Sequence, residues 1–334
     1  VPRALVTGAT GQAGSYIVER LMADGWSTRA LVRTPAAAEW LAREGVELSH
    51  GDVLDAATFA AAAEGCDAIF HAAAVVTARG GWESYRDANV GGTQNAVAAA
   101  EASGARLVHI SSVAVYGGDS RYGERPTDES TPLAPLPREA FYARSKRESE
   151  RLVLDAHESG RIWATAVRPD VIYGRHDRQF VPRLARVLER GFFPVLGGGG
   201  STLAVVHASS VADGAVRAVA IDAAGGNCYN LANDFPVTVA EFARLGGQGL
   251  GRRVRLVSLP TSLARLALAM ARGALRATGS GAIAAQSTGT LDFLSRDNPF
   301  TSDRARRELG WSPATKPDVG VPDAFRWWKE HGSR

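Results

Sequence analysis

The stretch Ala4-Leu5-Val6-Thr7-Gly8-Ala9-Thr10-Gly11-Gln12-Ala13-Gly14-Ser15 decides the fold. Residues 4–6 form a short apolar run of buried-strand type, and residues 15–23 are amphipathic at helical spacing. Between them Gly8, Gly11 and Gly14 make a G-x-x-G-x-x-G turn. Such a turn needs glycine because a β-carbon would block either the bend or the approach of a pyrophosphate. The phosphates then sit on free N–H groups at the helix start, where the dipole favours anions. A second strand, residues 28–32, returns about 20 residues on. Strand, turn, helix and returning strand together point to dinucleotide binding; glycines alone would be only a turn.

The alternation continues outward. Strands are expected at 46–49, 68–71, 106–110 and 162–168, and helices at 56–64, 85–103 and 141–159. This pattern predicts an α/β fold of Rossmann type, a doubly wound parallel sheet. The expected division is a dinucleotide-binding domain over 1–174, rejoined by 203–233. A smaller mixed C-terminal substrate lobe is expected from 175–202 and 234–330.

The chain has 334 residues, 45% of them hydrophobic and 22% charged, which argues against disorder. Its formal charge of +3, from 38 basic and 35 acidic residues, is too dilute to suggest a nucleic-acid partner. The two cysteines, Cys66 and Cys228, cannot build a disulfide framework and have no neighbours at zinc spacing. No metal is therefore expected, and a cytoplasmic location is the default. An apolar strand pattern beginning at Ala4 leaves no room for a signal peptide, and no run of roughly 18 uncharged apolar residues exists to span a bilayer.

Two features could carry chemistry. Tyr142 and Lys146, four residues apart at the start of the 141–159 helix, share a face. A phenol titrates near pH 10 in water, roughly, and a neighbouring ammonium lowers that value by stabilising phenolate. The pair alone could equally be a solvated helix face. Ser111 and Ser112, at the carboxyl end of the 106–110 strand, supply the context, because ligands of open α/β sheets bind at those ends. Ser111 reads as a buried hydroxyl bonded to backbone, and His71 as a strand-end packing residue.

With these residues the chain resembles the extended short-chain dehydrogenase/reductase family. The matching pieces include Thr7 to Gly14, Gly51-Asp52-Val53-Leu54-Asp55, His71-Ala72-Ala73-Ala74 and Asn89-Val90-Gly91-Gly92-Thr93-Gln94-Asn95. Ser111-Ser112 before Val115-Tyr116-Gly117, Tyr142 with Lys146, and Arg168-Pro169-Asp170-Val171-Ile172-Tyr173-Gly174 follow in family order. Phe300 to Pro313 looks like the family's C-terminal segment; the resemblance is weakest between 245 and 295. It implies Tyr142 as general acid/base, Lys146 as the group that tunes it and grips a ribose, and Ser112 as the orienter of the substrate oxygen. Ser112 is preferred to Ser111 because it stands four residues before Tyr116. Gly8, Thr10, Gly11, Gln12 and Gly14 would hold the pyrophosphate, and Asp52 and Val53 would lie by the adenine. Ala72, Ala73 and Ala74 would line the adenosine side, and Pro169, with Tyr142 and Lys146, would also contact the cofactor. Asn89 is expected to brace the backbone.

At the tip of the second strand NAD-specific relatives carry an acidic residue, whereas this chain has Arg33. A cation there can meet a 2′-phosphate, so NADP is expected, with NAD as the alternative. Val113 and Ala114 stand where a nucleotide-sugar 4,6-dehydratase needs Asp-Glu, which argues against that reaction. The proline-containing stretch between Gly117 and Phe141 reads as a lid, with Asp128 and Glu129 read as loop solvation.

The later chain reads as apolar. Phe192 to Leu196 is one apolar run, and 259–277 is mostly Leu, Ala and Met with Arg265, Arg272 and Arg276 on one helix face. That helix is expected at the surface, or as a pocket wall or peripheral membrane contact through 260–277. The character is similar to the 3β-hydroxysteroid dehydrogenase and dihydroflavonol reductase branches. Arg175, Arg178, Arg183 and Arg186 speak weakly for a diphosphate sugar and more plainly for a solvated face. His207 falls in a family segment but with Ser209 and Ser210 in place of acidic residues.

The leading expectation is an NADP-dependent oxidoreductase interconverting a secondary alcohol and a ketone on an apolar small-molecule substrate, as a homodimer. A nucleotide-sugar epimerase with tightly bound NAD is the rival enzyme, and a dinucleotide-sensing regulator without chemistry the third class.

Overall fold

A computed structural model of the chain describes residues 1–77, 81–117, 126–232, 235–260 and 293–332. The chain forms two compact units: Val1–Ile172 with Val206–Asp234 and Phe300–Ala314, and Tyr173–Val205 with Phe235–Pro299 and Thr315–Arg334.

In the first unit the strands are β1 (Arg3–Thr7), β2 (Ser27–Val32), β3 (Glu47–His50), β4 (Ala68–His71), β5 (Arg106–Ile110), β6 (Ala164–Pro169) and, later in the chain, β10 (Cys228–Leu231). Among the described residues these seven make one parallel sheet in the order β10-β6-β5-β4-β1-β2-β3. Central strands are buried on both faces, so they are written as continuous apolar runs such as Ala68-Ile69-Phe70 rather than as alternating ones. One face packs under α1 (Gln12–Ala23) and α8 (Ala208–Ala220), with Ile17, Leu21, Val211 and Ala215 in the core. The other face lies under α3 (Ala56–Ala63), α5 (Gly92–Ser103) and α6 (Phe141–Glu158), with Leu5, Ile69, Leu107, Phe59 and Val153 between them. Two short helices, α2 (Glu39–Arg43) and α4 (Gly81–Tyr85), complete this part of the chain.

Strand order reverses at β1, whose neighbours are β4 and β2. A crevice forms at the carboxyl ends of strands at such a point. The expected strand set is therefore present, displaced by at most two residues at each end. The expected helix at 85–103 is interrupted: Arg86–Gly91 winds as a π-turn before α5 begins.

β7 (Val171–Tyr173) and β9 (Val205–His207) lie where the chain changes unit. β8 (Phe192–Leu196) pairs in parallel with β11 (Arg255–Leu259), Phe192 opposite Arg255. Helices α7 (Phe180–Leu188), α9 (Val239–Gly249) and α11 (Pro317–His331) enclose a core of Tyr173, Leu188, Phe242, Phe325 and Trp328. Leu259 ends a strand, and the rest of the helix expected over 259–277, with Arg265, Arg272 and Arg276, lies outside the described residues apart from Pro260.

The expected block 234–330 is not continuous. Phe300–Ala314, containing α10 (Asp303–Leu309), belongs to the first unit, where Ala305, Leu309 and Trp311 join the sheet core. Trp311 Nε1 donates to Ser210 O at 2.8 Å. The tail looked like substrate lobe because it follows that lobe in sequence, but its apolar spacing suits the sheet unit's core.

Candidate active site

The glycine turn joins β1 to α1 at the reversal of strand order. Gly8 has φ +69°, and a β-carbon there would lie 2.8 Å from Ala73 N and 2.9 Å from Ala72 C. The Thr7–Gly8 turn and the backbone after β4 are thus closer than any side chain would allow. At Gly14 a β-carbon would meet Gly8 O at 2.2 Å, so the helix can press against the turn only as glycine. Gly11 N donates to Gly8 O at 2.9 Å, and Gly11 caps α1 without a side chain. Gln12 Nε2 is buried with no hydrogen-bond partner among the described residues. A cradle cleared of β-carbons at a helix N-terminus, with a spare amide donor at its edge, fits a dinucleotide pyrophosphate.

Around this turn most of the expected cofactor residues stand at or just beyond the carboxyl ends of the parallel strands. Asp52 Oδ1 accepts from Leu54 N at 3.0 Å, and Val53 packs against Gly92. Asn95 Nδ2 donates to Val53 O at 2.8 Å, which fixes the loop after β3. Ala73 N donates to Thr7 Oγ1 at 3.3 Å. Arg33, beyond the end of β2, is exposed, and its guanidinium has no hydrogen bond or ion pair among the described residues. Pro169 ends β6.

Ser112 follows β5, and its Oγ accepts from Ala114 N at 3.2 Å, capping the 3₁₀ turn Val113–Tyr116. The nearby Ser112 hydroxyl favours phenolate at Tyr142, but burial outweighs this and raises the phenol above its ordinary value. That direction reverses the expectation that Lys146 would lower it: burial and Ser112 are the influences on Tyr142. Lys146 Nζ instead donates to Ile110 O at 2.7 Å, and burial pushes the ammonium down to about 8, with the Glu150 carboxylate opposing the fall. Ser111 Oγ is buried and finds no partner among the described residues, contrary to the expected backbone bond.

Asn89 sits in the π-turn, where unusual winding turns its amide inward. Its Oδ1 accepts from Val75 N at 2.7 Å, and its Nδ2 donates to Val75 O at 3.0 Å and Ser145 Oγ at 2.9 Å. Ser145 Oγ donates to Tyr142 O at 2.9 Å, so Asn89 ties the chain after β4 to the turn that carries Tyr142.

Sequence reasoning missed a second polar layer. Arg168 makes a bidentate ion pair with Glu150, at 2.9 and 2.6 Å, and donates to Tyr116 Oη at 2.8 Å. Tyr116 Oη donates to Asn230 Oδ1 at 2.9 Å, and Asn230 N donates to Glu129 Oε1 at 2.6 Å. Glu129 is therefore an anchor rather than a solvated loop residue. Thr127 bridges Phe300, Ala134 N donates to Tyr116 O at 3.0 Å, and Arg147 Nη2 donates to Ala134 O at 2.8 Å. The described part of the expected lid is pinned to the sheet unit. The signal was Glu150, four residues after Lys146 on an inward face, opposite an arginine inside an otherwise apolar strand.

His207 caps α8 by accepting from Ser209 N at 3.2 Å and lies edge-on to Tyr16. Among the described residues no group of three His, Cys, Asp or Glu is placed to hold a metal, and no helix is long and apolar enough to cross a membrane.

Residues 4–232 match the model of the NAD dependent epimerase/dehydratase family. The chain belongs to that family. A 4-hydroxy-2-methyl-3-oxo-4-farnesyl-3,4-dihydroquinoline-1-oxide ketoreductase of Stigmatella aurantiaca is 32% identical over 327 residues, 97% of this chain and 96% of the relative. A 3 beta-hydroxysteroid dehydrogenase/Delta 5-->4-isomerase of Mycobacterium tuberculosis is 30% identical, covering 93% and 86%. The crystal structure of gox2253 superposes with a TM-score of 0.78 at 28% identity, over 99% of both chains. This family member is an NAD(P)-dependent dehydrogenase/reductase of the extended short-chain type.

Proposed function

We propose that this enzyme is an NADP(H)-dependent oxidoreductase interconverting a secondary alcohol and a ketone on a largely apolar substrate. The observation that carries the reading is Tyr142, proton-retaining through burial and close to Ser112, with buried Lys146 one turn along the same helix. The names of two relatives, carrying a farnesyl group and a steroid, support the apolar substrate class.

Gly8, Thr10, Gly11, Gln12 and Gly14 hold the pyrophosphate in this reading, and Arg33 meets a 2′-phosphate. Asp52 and Val53 flank the adenine, Ala72, Ala73 and Ala74 the adenosine side, and Pro169 lies with Lys146 and Tyr142 toward the nicotinamide. Bound there, the nicotinamide supplies two-electron hydride exchange. In reduction Tyr142 Oη gives its proton to the carbonyl oxygen while Ser112 Oγ hydrogen-bonds the same oxygen. The raised phenol value keeps that proton in place at neutral pH until the oxygen becomes basic. The Lys146 ammonium would hold a ribose hydroxyl of the cofactor in this reading, and solvent returns the proton to the Tyr142 phenolate.

Tyr142→Phe is expected to lower kcat by about 10²- to 10⁴-fold while cofactor affinity changes less than about 3-fold; near-normal turnover would overturn the role. Measured with each cofactor, kcat/KM is expected to favour NADPH, and a preference of about tenfold for NADH, some 1.4 kcal/mol, would overturn the assignment of Arg33. Turnover of a nucleotide sugar on copurifying cofactor, with none added, would replace the reductase by an epimerase.

A further inference from the structure

The strand end and turn that carry Ser112 are gripped from α6 on both sides of the serine. Before it, Lys146 Nζ donates to Ile110 O at 2.7 Å. After it, Arg147 donates to Val115 O, through Nε at 3.0 Å and through Nη2 as well. One turn further along α6, Glu150 holds Arg168, which reaches Tyr116 Oη. Arg147 also reaches beyond the turn: its Nη2 donates to Ala134 O at 2.8 Å, and Ala134 N donates to Tyr116 O at 3.0 Å. The half-buried guanidinium is thus spent on backbone carbonyls of two segments, while the buried Glu150 carboxylate on its helix is taken by Arg168.

The turn passes that grip on to Ser112. Val115 N donates to Ser112 O at 3.2 Å and Ala114 N to Ser112 Oγ at 3.2 Å, so Val113–Tyr116 and the serine move as one piece. The cap occupies a lone pair of Oγ and leaves its proton to give to a substrate oxygen. Gly117 follows at φ +81°, where a β-carbon would meet Ala134 O at 3.0 Å, so the Ala134 segment lies against the turn as closely as glycine allows. A planar guanidinium with several N–H donors binds two carbonyls at fixed angles, which an ammonium on a flexible stem does not reproduce. Removing it leaves Val115 O and Ala134 O without this donor and frees the turn to shift against α6.

We propose that Arg147 is a positioning residue for the reaction. By tying the Ser112 turn and the Ala134 segment to the helix that carries Tyr142, it sets where the serine hydroxyl stands relative to the phenol. The inference rests on the proposed role of Ser112. Arg147 touches neither cofactor nor substrate in this reading and acts through the serine. Displacing a polarising hydroxyl by about 1 Å costs on the order of 10²-fold in rate, so a lost clamp appears in kcat while the glycine turn keeps its hold on the cofactor.

The test is NADPH oxidation with an apolar ketone, and NADPH titration, for the full chain carrying Arg147→Ala, Ser112→Ala or both. Arg147→Ala is expected to lower kcat by about 10- to 100-fold while the NADPH Kd moves less than about 3-fold. Arg147→Lys, which keeps the charge and one reach to Val115 O, is expected to recover part of the loss. With Ser112→Ala already present, Arg147→Ala is expected to lower kcat by less than about 3-fold more, because the group it places is gone. An undiminished Arg147 penalty in that background overturns the inference, as does an Arg147→Ala enzyme with wild-type kcat. Equal losses in kcat and NADPH affinity make Arg147 a general brace of the fold and overturn it too. Ser112→Ala turning over near the wild-type rate overturns instead the role of the serine itself, and with it the reading on which the clamp rests. Should Arg147→Ala fail to fold, Arg147→Met keeps the packed stem and carries the same comparison.

Discussion

His71 is held at about 3 against an ordinary value of 6.5, chiefly by burial and secondarily by the Lys146 charge. Its cost appears in acid. Between those two values the unfolded chain binds a proton that the native chain refuses, so stability is lost as pH falls from 6.5 toward 3. Replacing it with glutamine, His71→Gln, is expected to flatten this loss by about 1.4 kcal/mol per pH unit, read from urea midpoints at several pH values. Parallel curves for variant and wild type would show that His71 does not supply the proton. The same residue marks the limit of sequence reading. Tyr142 and Lys146 are visible four apart, and so is the chemistry that the pair permits. Which way each group titrates depends on what buries it, and strand partners such as His109 and Ile110 come from elsewhere in the chain.

At the scale of elements, the strand–helix alternation was legible because buried parallel strands and amphipathic helices have different periods. The π-turn was not, since Arg86–Gly91 reads as the first turns of one long helix. Asn89 O, which accepts the Gly92 N–H, also accepts from Thr93 Oγ1 at 2.7 Å and Ser149 Oγ at 2.9 Å, while the side chain serves Val75 and Ser145. Asn89→Ala removes a buried amide and leaves Val75 N and O without it. A loss of roughly 2–3 kcal/mol in urea unfolding is expected, with lower kcat as the Tyr142 turn loosens. Asn89→Asp is expected to recover little, because it cannot donate to Val75 O or Ser145. Full recovery by aspartate would mean that the amide's donors are not what matters.

For the whole molecule, the sheet unit was readable from its motifs, but its closing piece was not. Trp311, 2% exposed, lies in the sheet core with Ala305 and Leu309 although some eighty residues separate it from β10. Trp311→Ala is expected to cost roughly 3–5 kcal/mol, with Trp311→Phe recovering part of it, measured by thermal or urea unfolding. A change below about 1 kcal/mol would remove the tail from the core. The chain changes unit after residues 172, 205, 234, 299 and 314. Neither unit can therefore be excised as a single fragment. During synthesis from the N-terminus, α1 and α8 can cover their face of the sheet first, while the part of that core that Trp311 fills stays open until the tail emerges. A chain cut before that segment would leave the pocket of Ser210 and its neighbours empty, so removal of the tail destabilises the sheet unit rather than the second unit alone.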